Sequence, residues 1–456
     1  MRTWLVSCAL VLSACPPPTP TEDGGVERDA GEVVDAGGSF VVTRLDAGVL
    51  DGGAPVRYEL LKLQVGTHAA AYAQWMPAVS ADGGLAPVLL LTRPYDGIAW
   101  TGEDVDARWF SKGTGLFPDV DSPDAPANPG VISYVPITPQ REVDDTFIWR
   151  LHAVSVLSVY GRFYAGGSIQ NDVDDMVAGL EFLAREPGVD TSRIGIFGGS
   201  WGGFEAVYGA AYAPENATPK VGVALYPLTD FASEVDFVTR VMPGRYTLPA
   251  SIAANEAFFA PYLRRIEATT GGLPDAGGDY SRFDVDAVAS RLRTPFLFVH
   301  DSYDTLVDVA QTERLVAAQP TLISPLYLRH AAPPNWDMEL TNHGSAVAMY
   351  GGGAVPFVVA RLLKALHDGP VIYVPFDGSF LQLLTFARDQ QRAGASYAEL
   401  AARLRELLDP RVVLVNVVDG AQYPGPEGVA LAVNLVWGTT FTAATIDAAL
   451  ASGLPP

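Results

Sequence analysis

The sequence predicts an α/β fold, a mostly parallel β-sheet with helices on both faces. Three observations carry that prediction. Short, largely apolar runs recur at 87–91, 154–159, 193–197, 221–225 and 295–299, as expected of strands buried on both faces. Helix-patterned stretches such as 172–185 lie between them, and this alternation indicates a parallel sheet between helical layers. One apolar run also passes directly into Gly198-Gly199-Ser200-Trp201-Gly202-Gly203 ahead of a helix, the strand–turn–helix setting of a serine held on a sharp elbow.

The elements follow in chain order. Met1-Arg2, the mostly apolar stretch 4–12 and the small residues after it have the layout of a secretory signal peptide, too short for a membrane span. Leu12-Ser13-Ala14-Cys15 resembles the lipobox of bacterial lipoproteins. The resemblance implies a signal of residues 1–14, lipidation of Cys15, and a membrane partnership through an N-terminal lipid anchor on the cell envelope. Residues 15–39 are rich in Pro, Gly and acidic side chains and read as a disordered tether, stiffened by proline and by like-charge repulsion. Asp-Ala-Gly and Asp-Gly-Gly recur at Asp29, Asp35, Asp46, Asp51, Asp82 and Asp275 and read as turn chemistry, since Asp-Gly tolerates positive φ.

The catalytic body is expected over 40–368. Early strands fall at 56–60 and 70–75, and a helical cap insertion at about 232–292. A buried helix is expected within 345–360. Residues 369–456 read as an extension or subdomain. There Ser396 and Glu399 have capping-box spacing before a helix, 412–417 reads as a strand and 442–451 as a short helix.

Composition narrows the function. The 456 residues carry 30 Lys and Arg against 52 Asp and Glu, a net charge of −22, and lysine occurs only at 62, 112, 220 and 364. Phosphate binding depends on Lys and Arg, so no nucleic-acid partner is expected. A mean hydropathy of +0.16 excludes a wholly disordered chain. The two cysteines are Cys8 and Cys15, and the histidines lack close pairs, so no metal site is expected. Gly161 to Gly167 lacks the spacing of a nucleotide loop, and no cofactor is expected.

A serine hydroxyl needs a base, and the base an orienting acid. On an elbow of this kind the chain order is Ser, then Asp or Glu, then His. Order removes His68 and His152 as partners of Ser200; His300 ends a core strand and His367 closes an amphipathic helix. His343, in a loop before Gly344, is preferred as the base, with His330 in reserve. Asp304, five residues beyond the apolar strand that ends at Val299, is preferred as the acid over Asp301 and Asp308. The backbone N–H of Trp201, directly after the nucleophile, supplies one oxyanion donor.

The stretch 190–204, with its Gly-Gly-Ser-Trp-Gly-Gly core, resembles the serine region of the prolyl-oligopeptidase family. The stretch 294–304 resembles that family's acid strand, and Asn342-His343-Gly344 its histidine loop. The similarity spans about 85–365 and implies an α/β-hydrolase fold without the family's β-propeller, for which the N-terminal region is too short. His300-Asp301 stands where His-Gly is usual. Prolyl oligopeptidases and cocaine-esterase-like acyl hydrolases use a tyrosine hydroxyl as second oxyanion donor, and Tyr95 matches that position. The resemblance implies an exported serine hydrolase acting on a small peptide or ester substrate, peptide being favoured. The alternatives are a carboxylesterase of the same fold and a non-catalytic surface-binding lipoprotein.

Overall fold

A computed structural model describes residues 40–51, 55–65, 70–78, 84–94, 96–99, 108–111, 139–146, 149–150, 152–163, 167–328, 343, 355–367 and 371–373, with 32–34, 415–417, 442 and 444. The expected signal peptide, Cys15, most of the tether, His330 and the helices expected after 396 and across 442–451 lie outside the described residues, the last apart from 442 and 444.

Ten strands form one mixed sheet. In chain order they begin with β1 (Glu32–Val34), β2 (Phe40–Asp51), β3 (Pro55–Val65), β4 (Ala71–Met76) and β5 (Ala86–Arg93). A separate antiparallel pair, β6 (Asp96–Ala99) and β7 (Arg108–Ser111), follows. The sheet then resumes with β8 (Ser155–Tyr160), β9 (Val189–Gly199), β10 (Val221–Leu225), β11 (Phe296–Asp301) and β12 (Ile323–Leu328). The spatial order is β1-β2-β3-β4-β8-β5-β9-β10-β11-β12. Pairing is antiparallel from β1 through β4 to β8, and parallel from β8 to β12.

The parallel half follows from its sequences. In β5, β8, β10 and β11 nearly every residue is buried, and such strands must be covered on both faces. One face is covered by α2 (Ile169–Leu183) and α3 (Trp201–Ala211), the other by α1 (Pro139–Asp145) and α8 (Val355–Leu366). Between them run α4 (Phe231–Asp236), α5 (Pro249–Thr270), α6 (Val285–Ala289) and α7 (Ala310–Ala318). Helix α2 begins ahead of its expected start because Ser168 caps it. The Ser168 hydroxyl accepts from the Asn171 N–H at 3.2 Å, and the Asn171 side chain accepts from the Ser168 N–H at 2.9 Å, a reciprocal cap.

The antiparallel half departs further from expectation. Strand β2 is not among the expected strands, and Asp46, read as turn chemistry, lies inside it, at the register irregularity between Arg44 and Asp46. A bulge absorbs the extra residue and lets the ladder continue. Glu32–Val34, within the expected tether, pairs with Val41–Thr43. Asp275, in contrast, sits in a turn closed by Gly277 at φ 85°. The insertion at 232–292 is helical, with α5 running 22 residues. Phe259, Tyr262 and Ile266 of α5 are buried in the core on the α2 side, so the insertion is built onto the body. Val415–Val417, in the expected strand at 412–417, pairs antiparallel with Val371–Tyr373. No helix among the described residues is long and apolar enough to cross a membrane.

Candidate active site

The site begins where β9 ends. Ser200 has φ 57° and ψ −123°, a backbone conformation that costs a non-glycine residue about 1–3 kcal/mol. The surroundings hold it there. The Ser200 N–H donates to the Leu225 carbonyl on β10 at 2.9 Å, and the Thr92 hydroxyl on β5 donates to the Gly202 carbonyl at 3.0 Å. Close approach explains the glycines. A Cβ at Gly198 would collide with the Gly202 carbonyl and Thr92 Oγ1, one at Gly202 would lie 2.5 Å from Thr92 Oγ1, and one at Gly203 3.0 Å from the Leu225 oxygen.

His343 reaches the serine from a loop, with Nε2 3.0 Å from Ser200 Oγ. Its Nδ1 lies 2.9 Å from Asp304 Oδ2 and 3.1 Å from Oδ1. Asp304 is set in the turn after β11, where Oδ1 also accepts the N–H groups of Leu306 (2.8 Å) and Val307 (3.0 Å). Burial alone would raise the Asp304 carboxyl; the adjoining imidazoles of His343 and His300 override it and hold the group well below the usual carboxylate range. The structure thus brings Ser200, His343 and Asp304 into one hydrogen-bonded chain.

The other candidates separate cleanly. Asp301 is buried and accepts from the Tyr303 N–H at 2.8 Å, which shapes the turn that presents Asp304. Asp308 accepts from the Ala310 N–H at 2.9 Å, at the start of α7. His300 lies under Asp304, fully buried: Nδ1 is 2.8 Å from Thr312 Oγ1, Nε2 3.0 Å from the Val307 carbonyl and 3.5 Å from Asp304 Oδ2. Since a carbonyl only accepts, Nε2 carries a proton and donates to it.

Trp201 opens α3, where the first backbone N–H groups have no acceptor one turn back and can face a developing negative charge. Tyr95 lies outside the described residues. The chain leading to it is fixed: the Arg93 guanidinium donates to Glu142 at 2.7 and 3.0 Å, Ser158 bonds the same carboxylate, and Pro94 Cδ lies 3.3 Å from where a Gly202 Cβ would stand. Among the described residues no group of three or more His, Cys, Asp or Glu is arranged to hold a metal ion.

Residues 165–322 match the prolyl oligopeptidase family. That stretch contains Ser200 and Asp304 and stops before His343; it is narrower than the span of resemblance expected from sequence. No curated protein matches the chain significantly. Similar solved structures include the acylaminoacyl peptidase of Pyrococcus horikoshii, at 12% identity and TM-score 0.39, covering 71% of this chain and 47% of that one. Dipeptidyl peptidase 4 of Porphyromonas gingivalis gives 16% and 0.39, covering 74% and 43%. Acetyl xylan esterase 1 of a Thermoanaerobacterium species gives 13% and 0.39, covering 70% and 88%. The chain thus spans less than half the length of the two peptidases. The elbow after β9 and the flanking parallel strands, with helices on both faces, make this an α/β-hydrolase fold.

Some features of the site carry no reading in sequence. Tyr226, at φ 38° after β10, packs its ring 4.5 Å from the His343 imidazole. Asp172 and Glu205 lie fully buried beside Trp201. A signal for Glu205 exists, since it is the single charged residue of an otherwise apolar helix, Trp201–Ala211.

Proposed function

We propose that this chain is a serine hydrolase that cleaves a peptide or ester bond of a small substrate through an acyl-enzyme, with peptide bonds favoured. The observation that carries the reading is the chain Ser200 Oγ–His343–Asp304 on a strained, glycine-packed elbow. Ser200 Oγ attacks the substrate carbonyl carbon as its proton passes to His343 Nε2. The carbonyl electron pair moves onto oxygen, where the Trp201 N–H and the Tyr95 hydroxyl receive it. Losing one such donor costs about 2.7–4 kcal/mol of barrier. Collapse expels the amine or alcohol, which takes the proton from His343, and water repeats the sequence to free the acid and Ser200. Asp304 holds the Nδ1–H tautomer so that Nε2 faces the serine free to accept.

A fluorophosphonate probe tests the class. Wild-type protein should be labelled and Ser200→Ala should not. An unlabelled wild type, or equal labelling of both, would leave a non-catalytic binding protein. Turnover of p-nitrophenyl esters against peptide amides then decides between esterase and peptidase. We further propose that Cys15 carries a lipid anchor, supported by the lipobox-like tetrad. Cys15→Ala should move the protein from the detergent phase to the aqueous phase, and its continued partition with detergent would refute attachment.

A further inference from the structure

Beside Trp201 of the elbow lies a fully buried acidic pair, Asp172 and Glu205, that takes no part in the proton transfers. Asp172, in the first turn of α2, accepts the Trp201 indole N–H at 2.6 Å on Oδ2 and the Phe163 backbone N–H at 2.7 Å on Oδ1. The indole is otherwise held by rings. Phe163 stacks on it at 4.2 Å, and Phe204, Tyr262 and Phe231 meet it edge-on at 5.1–5.5 Å. Trp201 is 1% exposed, so its polar anchor is the Asp172 carboxylate. The same residue contributes the backbone N–H that follows the nucleophile.

Glu205, one turn further along α3, is 0% exposed. No donor among the described residues reaches either of its carboxyl oxygens. A Cβ placed on Gly161 would collide with Glu205 Oε1 and lie 3.1 Å from Asp172 Oδ1, so the two carboxyls converge on one point beside that glycine. Two carboxyls can hydrogen-bond only if one of them keeps its proton. Asp172 already accepts two N–H groups, which favour its charged form, and Glu205 accepts none, so the proton belongs to Glu205. Burial first, then the neighbouring Asp172 and Asp175, push the Glu205 carboxyl well above its ordinary range. Burial pushes Asp172 up only to about 6, because Trp201, Phe163, Glu205 and Arg162 oppose it. Arg162 is itself engaged by Asp175, at 2.5 Å.

We infer that Asp172 is a positioning residue for the oxyanion hole, fixing the Trp201 peptide through its indole, and that Glu205 is the neutral donor holding Asp172 in place. The inference rests on the serine-hydrolase reading and adds a requirement to it. Two groups remote from the bond being cleaved must differ in protonation, one an acceptor for Trp201 and the other a donor to that acceptor.

Asp172→Asn and Glu205→Gln test it, with kcat, KM and the rate of fluorophosphonate labelling measured per folded molecule. Asp172→Asn turns one of the two acceptor oxygens into an N–H₂ group facing an N–H donor. Its kcat and labelling rate should fall together by at least about tenfold, short of the roughly 10²–10³-fold for outright loss of an oxyanion donor. KM should stay within about threefold, because interactions made only in the transition state act on kcat. Glu205→Gln keeps a neutral donor of the same size, and its kcat should stay within about threefold of wild type, a rescue that a carboxylate role would forbid. Wild-type kcat in Asp172→Asn, a change confined to KM, or a Glu205→Gln loss equal to that of Asp172→Asn would each overturn the inference. Should Asp172→Asn fail to fold, Trp201→Phe, which keeps a ring and deletes the indole N–H, carries the test; unchanged kcat there overturns it. Absence of Ser200-dependent turnover in the wild type would instead defeat the serine-hydrolase reading itself.

Discussion

Replacing Asp304 by Asn separates orientation from shape, because the structure dictates which way the amide must face. Asp304 Oδ1 accepts two backbone N–H groups, from Leu306 and Val307, at 2.8 and 3.0 Å. An N–H₂ group there would meet two donors, so the Asn carbonyl must occupy the Oδ1 position. The N–H₂ is then forced to the Oδ2 position, 2.9 Å from His343 Nδ1. A donor at that point obliges Nδ1 to accept, which moves the imidazole proton to Nε2, 3.0 Å from Ser200 Oγ. A protonated Nε2 cannot take the serine proton. The equivalent exchange in a Ser-His-Asp enzyme lowers kcat about 10⁴-fold, which at about 1.36 kcal/mol per tenfold is about 5.4 kcal/mol of barrier. The assay is steady-state turnover of the best ester or amide, with circular dichroism as the fold control. Folded Asp304→Asn retaining more than about a tenth of wild-type kcat would refute the tautomer argument and remove Asp304 from its assigned role.

Gly198→Ala should abolish labelling by fluorophosphonate, because its Cβ meets the Gly202 carbonyl and Thr92 Oγ1 and backbone there cannot yield without displacing Ser200; normal labelling would show that the elbow is looser than the structure describes. His152 gives a pH prediction. Burial first, and nearby His367 second, push its pKa down to about 3, so the folded state keeps the ring neutral while the unfolded chain takes up a proton below about 6.5. Stability should therefore fall as pH drops through that window, by up to about 1.4 kcal/mol per unit, or about 2.3 kcal/mol between pH 6.5 and 4.5. Urea unfolding should show this slope in the wild type and a shallower one in His152→Gln; equal slopes would rule out His152 as the source.

The sequence is most legible where structure is local or where chain order constrains chemistry. The elbow can be read because glycine, serine and strand adjoin, and Asp304 and His343 because they follow Ser200 in the order this fold imposes. The parallel strands declare themselves as continuous apolar runs. In the antiparallel half β3 and β4 are legible, but β2 is not, because it mixes Arg44, Asp46 and Gly48 with its apolar residues, and a bulge shifts its alternation midway. The roles of Tyr226 and His300, and the pairing of Asp172 with Glu205, are opaque for another reason: each depends on a contact that carries no periodicity. His300 illustrates this well. Its place at the end of a core strand is visible in the sequence, but its two hydrogen bonds beneath the acid depend on Thr312 and on how the turn closes.

The strained serine also bears on the order in which the protein gains reactivity as it folds. Ser200 cannot hold φ 57° by itself. It needs the Leu225 carbonyl from one neighbouring strand and the Thr92 tie from another, the latter joining residues 110 positions apart, and its base arrives from 143 positions away. Contacts of such separation form late, because the entropy of closing long loops opposes them until much of the chain is in place. A nascent or truncated chain therefore contains Ser200 but no nucleophile. Reactivity toward an electrophile becomes a property of the completed sheet, so a chain still short of its native pairing is kept from attacking the carbonyl groups around it.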